Sequence, residues 1–264
     1  MQRNILLIGV LTLLAGCGQG AKSAANGHSE SGGSGAVADQ AATASKPNCF
    51  FVRGQTAPAG QPADDILGVR QGMTLKQVRD VLLCKNSNYA INTSTSTLPL
   101  PSGGEMSEVD MTANTGQDKV EAWLVGSSGK EKLVRVERIV QFDDNKQLPV
   151  QGIVQDISKK YGQFDVSGAP TSGVIVRALD GEQITSENSN YSQCENSNIQ
   201  TNSQLPCLSV VSYQVQTSAQ NPQLASSFDV SVMNDAAVWS MVQAAERELA
   251  AQVDQARSSP APKL

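Results

Sequence analysis

The chain has 264 residues, with 20 basic against 25 acidic side chains and a net charge of −5. That balance excludes a nucleic-acid binder that works by neutralising phosphates. One histidine, His28, excludes a His-rich metal site and leaves any Ser–His or Cys–His mechanism a single imidazole. Hydrophobic residues at 39%, with 22 glycines besides, bring the apolar share into the ~45–50% range of globular chains, so most of the sequence is expected to fold.

The chain opens with a short segment, Met1–Asn4, whose one positive charge is Arg3. An apolar run from Ile5 to Leu14 follows, too short for a bilayer core that takes about 20 helical residues. Small residues then precede Cys17, which reads as a signal peptide over 1–16 and not as an anchor helix. Leu14-Ala15-Gly16-Cys17 resembles a bacterial lipobox. In that class the cysteine thiol is joined to diacylglycerol and cleavage follows just before it. The resemblance implies an acylated Cys17, palmitate-bearing, as the mature N-terminus. Two or three acyl chains, at ~0.8 kcal/mol per buried methylene, hold a protein stably at a membrane. Gly18 stands where an Asp would retain an enterobacterial lipoprotein at the inner membrane. Similarity to that sorting rule implies the periplasmic side of the outer membrane.

Residues 17–45 are Gly, Ala, Ser and Asn with few large apolar side chains, and they read as a lipidated, disordered, flexible tether. His28 falls here and reads as a solvated linker residue. Four further cysteines, Cys49, Cys84, Cys194 and Cys207, point to two disulfides in an exported protein. Cys49–Cys84 with Cys194–Cys207 is the simplest of three connectivities, because each bridge is local. Each would stabilise by about 3–4 kcal/mol in the chain-entropy model. No C-x-x-C pair supports a metal site.

Gly72-Met73-Thr74 starts the first helix, with Thr74 and Gln77 as a capping box and Met73 placed to staple against Val78. Leu75, Val78, Val81 and Leu82 share one face, which ends near Cys84. Lys119–Val125 reads as a strand with Val120, Ala122 and Leu124 on its buried face. In Leu133–Phe142, Val134, Val136, Val140 and Phe142 alternate with Arg135, Glu137 and Gln141, and Gly126–Gly129 makes the hairpin loop between the two strands. A second helix runs from Pro149 to Tyr161 and is capped by Gly162. Strands follow near Val174–Leu179, Leu208–Gln216 and Phe228–Met233. They are interrupted by a polar stretch over 185–206 that a Cys194–Cys207 bridge would pin. The last helix, Asp235–Arg257, carries Val238, Met241, Val242, Ala245, Leu249 and Val253 at helical spacing.

Little of this carries chemistry. Ser127-Ser128-Gly129-Lys130 matches a Ser-x-x-Lys dyad, but a lysine solvated in a hairpin loop lacks the lowered pKa of a base. Asp64-Asp65 and Asp143-Asp144 are adjacent pairs, and strand neighbours point to opposite faces instead of at one substrate. Asp143-Asp144-Asn145 reads as a turn and cap, with a weak calcium site as the alternative. Arg138 falls on an otherwise apolar strand face, where an unpaired charge is costly. It marks a sheet edge, a pair with a carboxylate, or a binding surface. No catalytic, metal or cofactor site is expected.

The lipobox, the Gly72-Met73-Thr74 helix start and Val136-Glu137-Arg138-Ile139 on a strand together resemble one family group. It is the group of the β-lactamase-inhibitor-like proteins and the small lipoprotein of the outer-membrane β-barrel assembly machine. Where the assembly lipoprotein follows its helix with Leu-Gly-x-Pro, this chain has Leu82-Leu83-Cys84-Lys85. The resemblance implies helices packed on antiparallel sheet, in tandem modules, and a habit of binding other proteins.

The expected fold is α+β: two modules of helix on antiparallel sheet, 46–145 and 146–257, with a long C-terminal helix and a frayed tail over 258–264. The expected function is a non-catalytic, lipid-anchored module that binds another envelope or periplasmic protein and no nucleic acid. The alternative is an inhibitor or immunity protein of a periplasmic hydrolase. Glu187, Tyr191 and Glu195 of the polar stretch, with Arg138, are the candidate binding residues.

Overall fold

The computed structural model describes residues 47, 49, 64–165, 171–178, 180–185 and 207–258. The expected signal peptide over 1–16, Cys17, the expected tether over 17–45, Cys194, Glu187, Tyr191 and Glu195 lie outside the described residues. Among the described residues no helix is long and apolar enough to cross a membrane.

The capping box at Thr74 is formed. The Gln77 amide donates to Thr74 Oγ1 at 3.3 Å, and the Gln77 side chain accepts from the Thr74 amide at 2.9 Å. Helix α1 (Leu75–Lys85) follows and buries Val78, Val81 and Leu82. Cys84, in its last turn, is disulfide-bonded to Cys49, as the spacing predicts. Cys207 is fully buried and also disulfide-bonded.

Helix α2 (Val150–Tyr161) buries Val150, Ile153, Ile157 and Tyr161. It stops at Gly162, whose φ of +111° disfavours any side chain. Its N-cap is Pro149, with no side-chain cap. Asp143-Asp144-Asn145 therefore makes the predicted turn, closed by the Lys146 amide on the Asp143 carbonyl at 2.8 Å, but caps no helix. The short strand β5 (Leu148–Pro149) lies between them. Helix α3 (Asp235–Ser258) starts from buried Asn234, whose side-chain oxygen accepts from the Ala237 amide at 2.9 Å.

The remaining strands are β1 (Ala90–Pro99), β2 (Glu105–Asn114), β3 (Asp118–Gly126), β4 (Lys132–Gln141), β6 (Ser172–Ala178), β7 (Gln183–Ile184), β8 (Cys207–Thr217) and β9 (Leu224–Met233). Among the described residues, nine strands and these three helices make the class α+β. All pairings are antiparallel and fall in one sheet of order β1-β2-β3-β4-β9-β8-β6-β7, with β5 beside β9. The middle seam is β4 against β9, Arg135–Gln141 facing Ser227–Met233, so the sheet runs unbroken from end to end.

Helices pack on both faces of the sheet. Val109, Met111, Val120, Leu124, Val136, Val211 and Val232 point to one face and form the main core with α1 and α2. Leu98, Met106, Val125 and Val134 point to the other and are covered by Val238 and Val242 of α3. Gly104, between β1 and β2, passes close beneath this helix, where a Cβ would come within 2.7 Å of Leu249 Cδ2.

Val134 corrects the alternation expected along β4. Trp123 faces Arg135 but Leu124 faces Leu133, so the register shifts by one residue and Val134 bulges to the α3 side. Leu133 and Val136 thereby share the main core.

Candidate functional site

Two clusters of charged side chains emerge, one on each face of the sheet, and they differ in what the protein does with them. The first lies on the side of α1 and α2. Arg138 is fixed there by Asp118, with Nε and Nη2 donating to the two carboxylate oxygens at 3.0 and 2.9 Å. Tyr89 adds its hydroxyl to the same carboxylate at 2.8 Å. Burial alone would lower the guanidinium pKa, but the bond and charge of Asp118 outweigh it and hold Arg138 above its ordinary value. Of the three readings of Arg138, the structure places it in an internal ion pair.

Asp64 and Asp65 are likewise split between cations. Arg177 of β6 donates to Asp64 at 3.0 Å, while Lys160 and Arg70 pair with Asp65. The buried Tyr161 hydroxyl donates to the Asp65 carbonyl at 2.7 Å, and burial raises that phenol's pKa. These carboxylates strap the segment before α1 to α2 and β6. Their partners are satisfied inside the fold, which makes the cluster structural.

The second cluster is on the α3 face, at the end that α3 leaves bare. Alternation sends Glu108, Asp110 and Thr112 of β2, Glu121 and Trp123 of β3, and Arg135 and Glu137 of β4 to this side. They line an open cavity of about 480 Å³. The Trp123 indole N–H donates to Glu108 at 2.6 Å, and Ser96 of β1 bonds the other oxygen of that carboxylate at 3.1 Å. Arg135 is bound to Glu137 at 2.6 Å, and Lys119 pairs with Glu121.

Register crowds carboxylates on this face. Glu121 stands directly opposite Glu137 across β3 and β4, a like-charge juxtaposition that the cations of Lys119 and Arg135 offset. Burial, then the charges of Glu108 and Glu121, raise the pKa of Asp110. Burial and Glu137 do the same to Asp229 on β9, against a bond from Gln214 and the charge of Arg135. Among the described residues no three carboxylates converge closely enough to hold a metal ion. The arrangement is a broad acidic surface around a half-buried indole, suited to contact with a cationic or amphipathic surface.

A raised carboxyl pKa has a sign that can be measured. The folded chain holds the Asp110 proton more tightly than the unfolded chain does. Its contribution is therefore favourable at low pH and is lost as pH rises from the ordinary aspartate value through the raised one. Asp110→Asn is expected to raise the thermal midpoint at neutral pH, with the gain shrinking as the solution is made acid. Thermal denaturation across that range checks it, and an equal gain at all pH values would contradict the electrostatic cause.

Alternation predicts Glu121, Glu137 and Arg135 for the solvent side of their strands. Glu108 and Asp110 carry the same signal, because Val109, Met111 and Ala113 alternate with them, but β2 is not among the predicted strands. Glu187, Tyr191 and Glu195 lie outside the described residues, and Arg138 is on the opposite face from the open one. The fold and this surface define an α+β protein with one large antiparallel sheet and an exposed acidic face. Comparison with protein-family models, curated proteins and solved structures finds no match for the chain.

Proposed function

We propose that the chain is a non-catalytic, lipid-anchored protein-binding module on the periplasmic side of the outer membrane, serving envelope assembly or maintenance. The carrying observation is the bare acidic end of the α3 face, where Glu121 opposes Glu137 and Asp110 is crowded by two carboxylates. Arrangements that oppose folding are characteristic of functional surfaces. The reading takes the body as two helix-on-sheet modules, 46–145 and 146–257. Helix-then-strands order recurs in the chain, and the last strand of each half, β4 or β9, lies at the centre of the sheet. The lipobox-like Leu14–Cys17 supports the anchor and the address. The acidic face equally favours the second reading, an inhibitor or immunity protein of a periplasmic hydrolase, because a basic active-site cleft is its electrostatic complement.

Two measurements test this. Cell fractionation is expected to find the native chain in the outer membrane and Cys17→Ala in the soluble periplasm, without acyl mass; a native chain lacking lipid refutes the anchor. Affinity capture from envelope extracts, with the full chain as bait, is expected to retain a partner that Trp123→Ala/Glu121→Lys loses. Equal capture by both baits refutes this surface as the binding site. Recovery of a single secreted hydrolase replaces the assembly role with inhibition.

A further inference from the structure

We propose that β1 is the strand through which two copies of this chain join edge to edge, continuing one sheet into the other. β1 closes one end of the sheet and pairs with β2 over ten consecutive residues without a shift, Ala90 opposite Asn114 through Pro99 opposite Glu105. Among the described residues no strand pairs with its other side. The opposite end of the sheet tapers into the two-residue β7, a length that blunts an edge.

Within its own sequence β1 lacks the devices that keep edges from pairing. It has no bulge and no charged residue, and its one proline is the last residue, where a missing N–H costs least. Residues 92–97, Asn-Thr-Ser-Thr-Ser-Thr, are all exposed, on both faces. A second copy suits this edge on charge. The chain is net −5 and the adjacent β2 carries Glu105, Glu108 and Asp110, yet β1 is neutral, so two β1 strands meet without like charges opposed. The C-terminal half of α3 reaches the same edge. Leu249 and Gln252 line a groove with Thr95, Ser96 and Thr97, and the apolar stripe runs on to Val253, left 42% exposed.

Symmetry restricts the register. Residues directly opposite in an antiparallel pair point to the same face, and a two-fold axis through the sheet preserves faces. A residue must therefore sit opposite one of its own parity, which puts the axis on a residue and not between two. Near the strand centre this means Ser94 opposite Ser94 or Thr95 opposite Thr95. Either choice sets Ser, Thr and Asn against one another along the middle of the seam, pairs that bond across strands.

The test uses the full chain. Sedimentation velocity is expected to show a concentration-dependent monomer–dimer equilibrium. Ser94→Lys/Thr95→Lys, on exposed positions, is expected to weaken it by roughly fivefold or more while circular dichroism is unchanged. On mild oxidation, Ser94→Cys or Thr95→Cys is expected to give a disulfide-linked dimer, identified by mass spectrometry as a self-linked peptide. Thr97→Cys, off the axis in both registers, is expected to give none. A chain that stays monomeric, a dimer indifferent to the lysines, or cross-linking as fast at 97 as at the axis overturns the proposal. So does occupation of β1 by a strand of another protein.

Discussion

Asp118→Ala is expected to destabilise the protein by about 2–3 kcal/mol, read as a lowered urea midpoint at neutral pH. The Arg138 side chain is 28% exposed and that of Asp118 22%, so the pair is neither in full solvent nor fully dry. Removing one member of a fully buried pair costs about 3–5 kcal/mol, and partial hydration lowers that figure here. Arg138 stands opposite Val120 and Val230, and without Asp118 its charge is left among apolar neighbours. The Tyr89 hydroxyl loses its acceptor in the same substitution. Arg138→Met in the Asp118→Ala background is expected to recover most of the loss, because it removes the stranded charge and keeps its volume. A loss below about 0.5 kcal/mol, the scale of an exposed pair, would show that the site is wetter than this geometry requires.

Removing the Cys49–Cys84 bridge is expected to cost more, about 3–4 kcal/mol, since it closes a loop with a sequence separation of 35. Cys84 stands in the last turn of α1, and the chain leaves the helix at Asn86 in an extended conformation. The bridge thus ties residue 49 to the end of a helix whose buried face is Val78, Val81 and Leu82. The variant to measure is Cys49→Ala/Cys84→Ala in the oxidised state, because a reductant would also open the bridge at Cys207. An unchanged midpoint would mean that the loop is held closed by other contacts. A larger loss than the loop term supplies would mean that α1 itself loosens from the sheet.

Much of this molecule is written locally. The cap at Thr74, the stripes of α1, α2 and α3 and the buried faces of β3, β8 and β9 each depend on side chains a few residues apart. A period of 2 or 3.6 is set by neighbours along one segment. The same holds for the lipobox-like start and for the local pairing of Cys49 with Cys84. β1 escapes such reading because Asn92–Thr97 alternates one polar residue with another. It is a strand because β2 pairs with it, and its one buried side chain, Leu98, is too little to announce a face. The bulge at Val134 is invisible for a related reason, as both registers of β4 offer an apolar residue to the core.

The tertiary structure decided the relations between segments. It made β4 and β9 the seam of one sheet, set α3 on the face opposite α1 and α2, and gave Arg138 its partner in Asp118. It also brought Glu121 against Glu137 and left that end of the sheet uncovered. Alternation along a strand says which side a residue faces but is silent on what stands beside it. That neighbour comes from a strand up to about a hundred residues away, Arg138 beside Val230 for example, selected by the register that buries the most apolar surface. No segment encodes that choice alone, because the free energy that selects it is shared by the whole sheet.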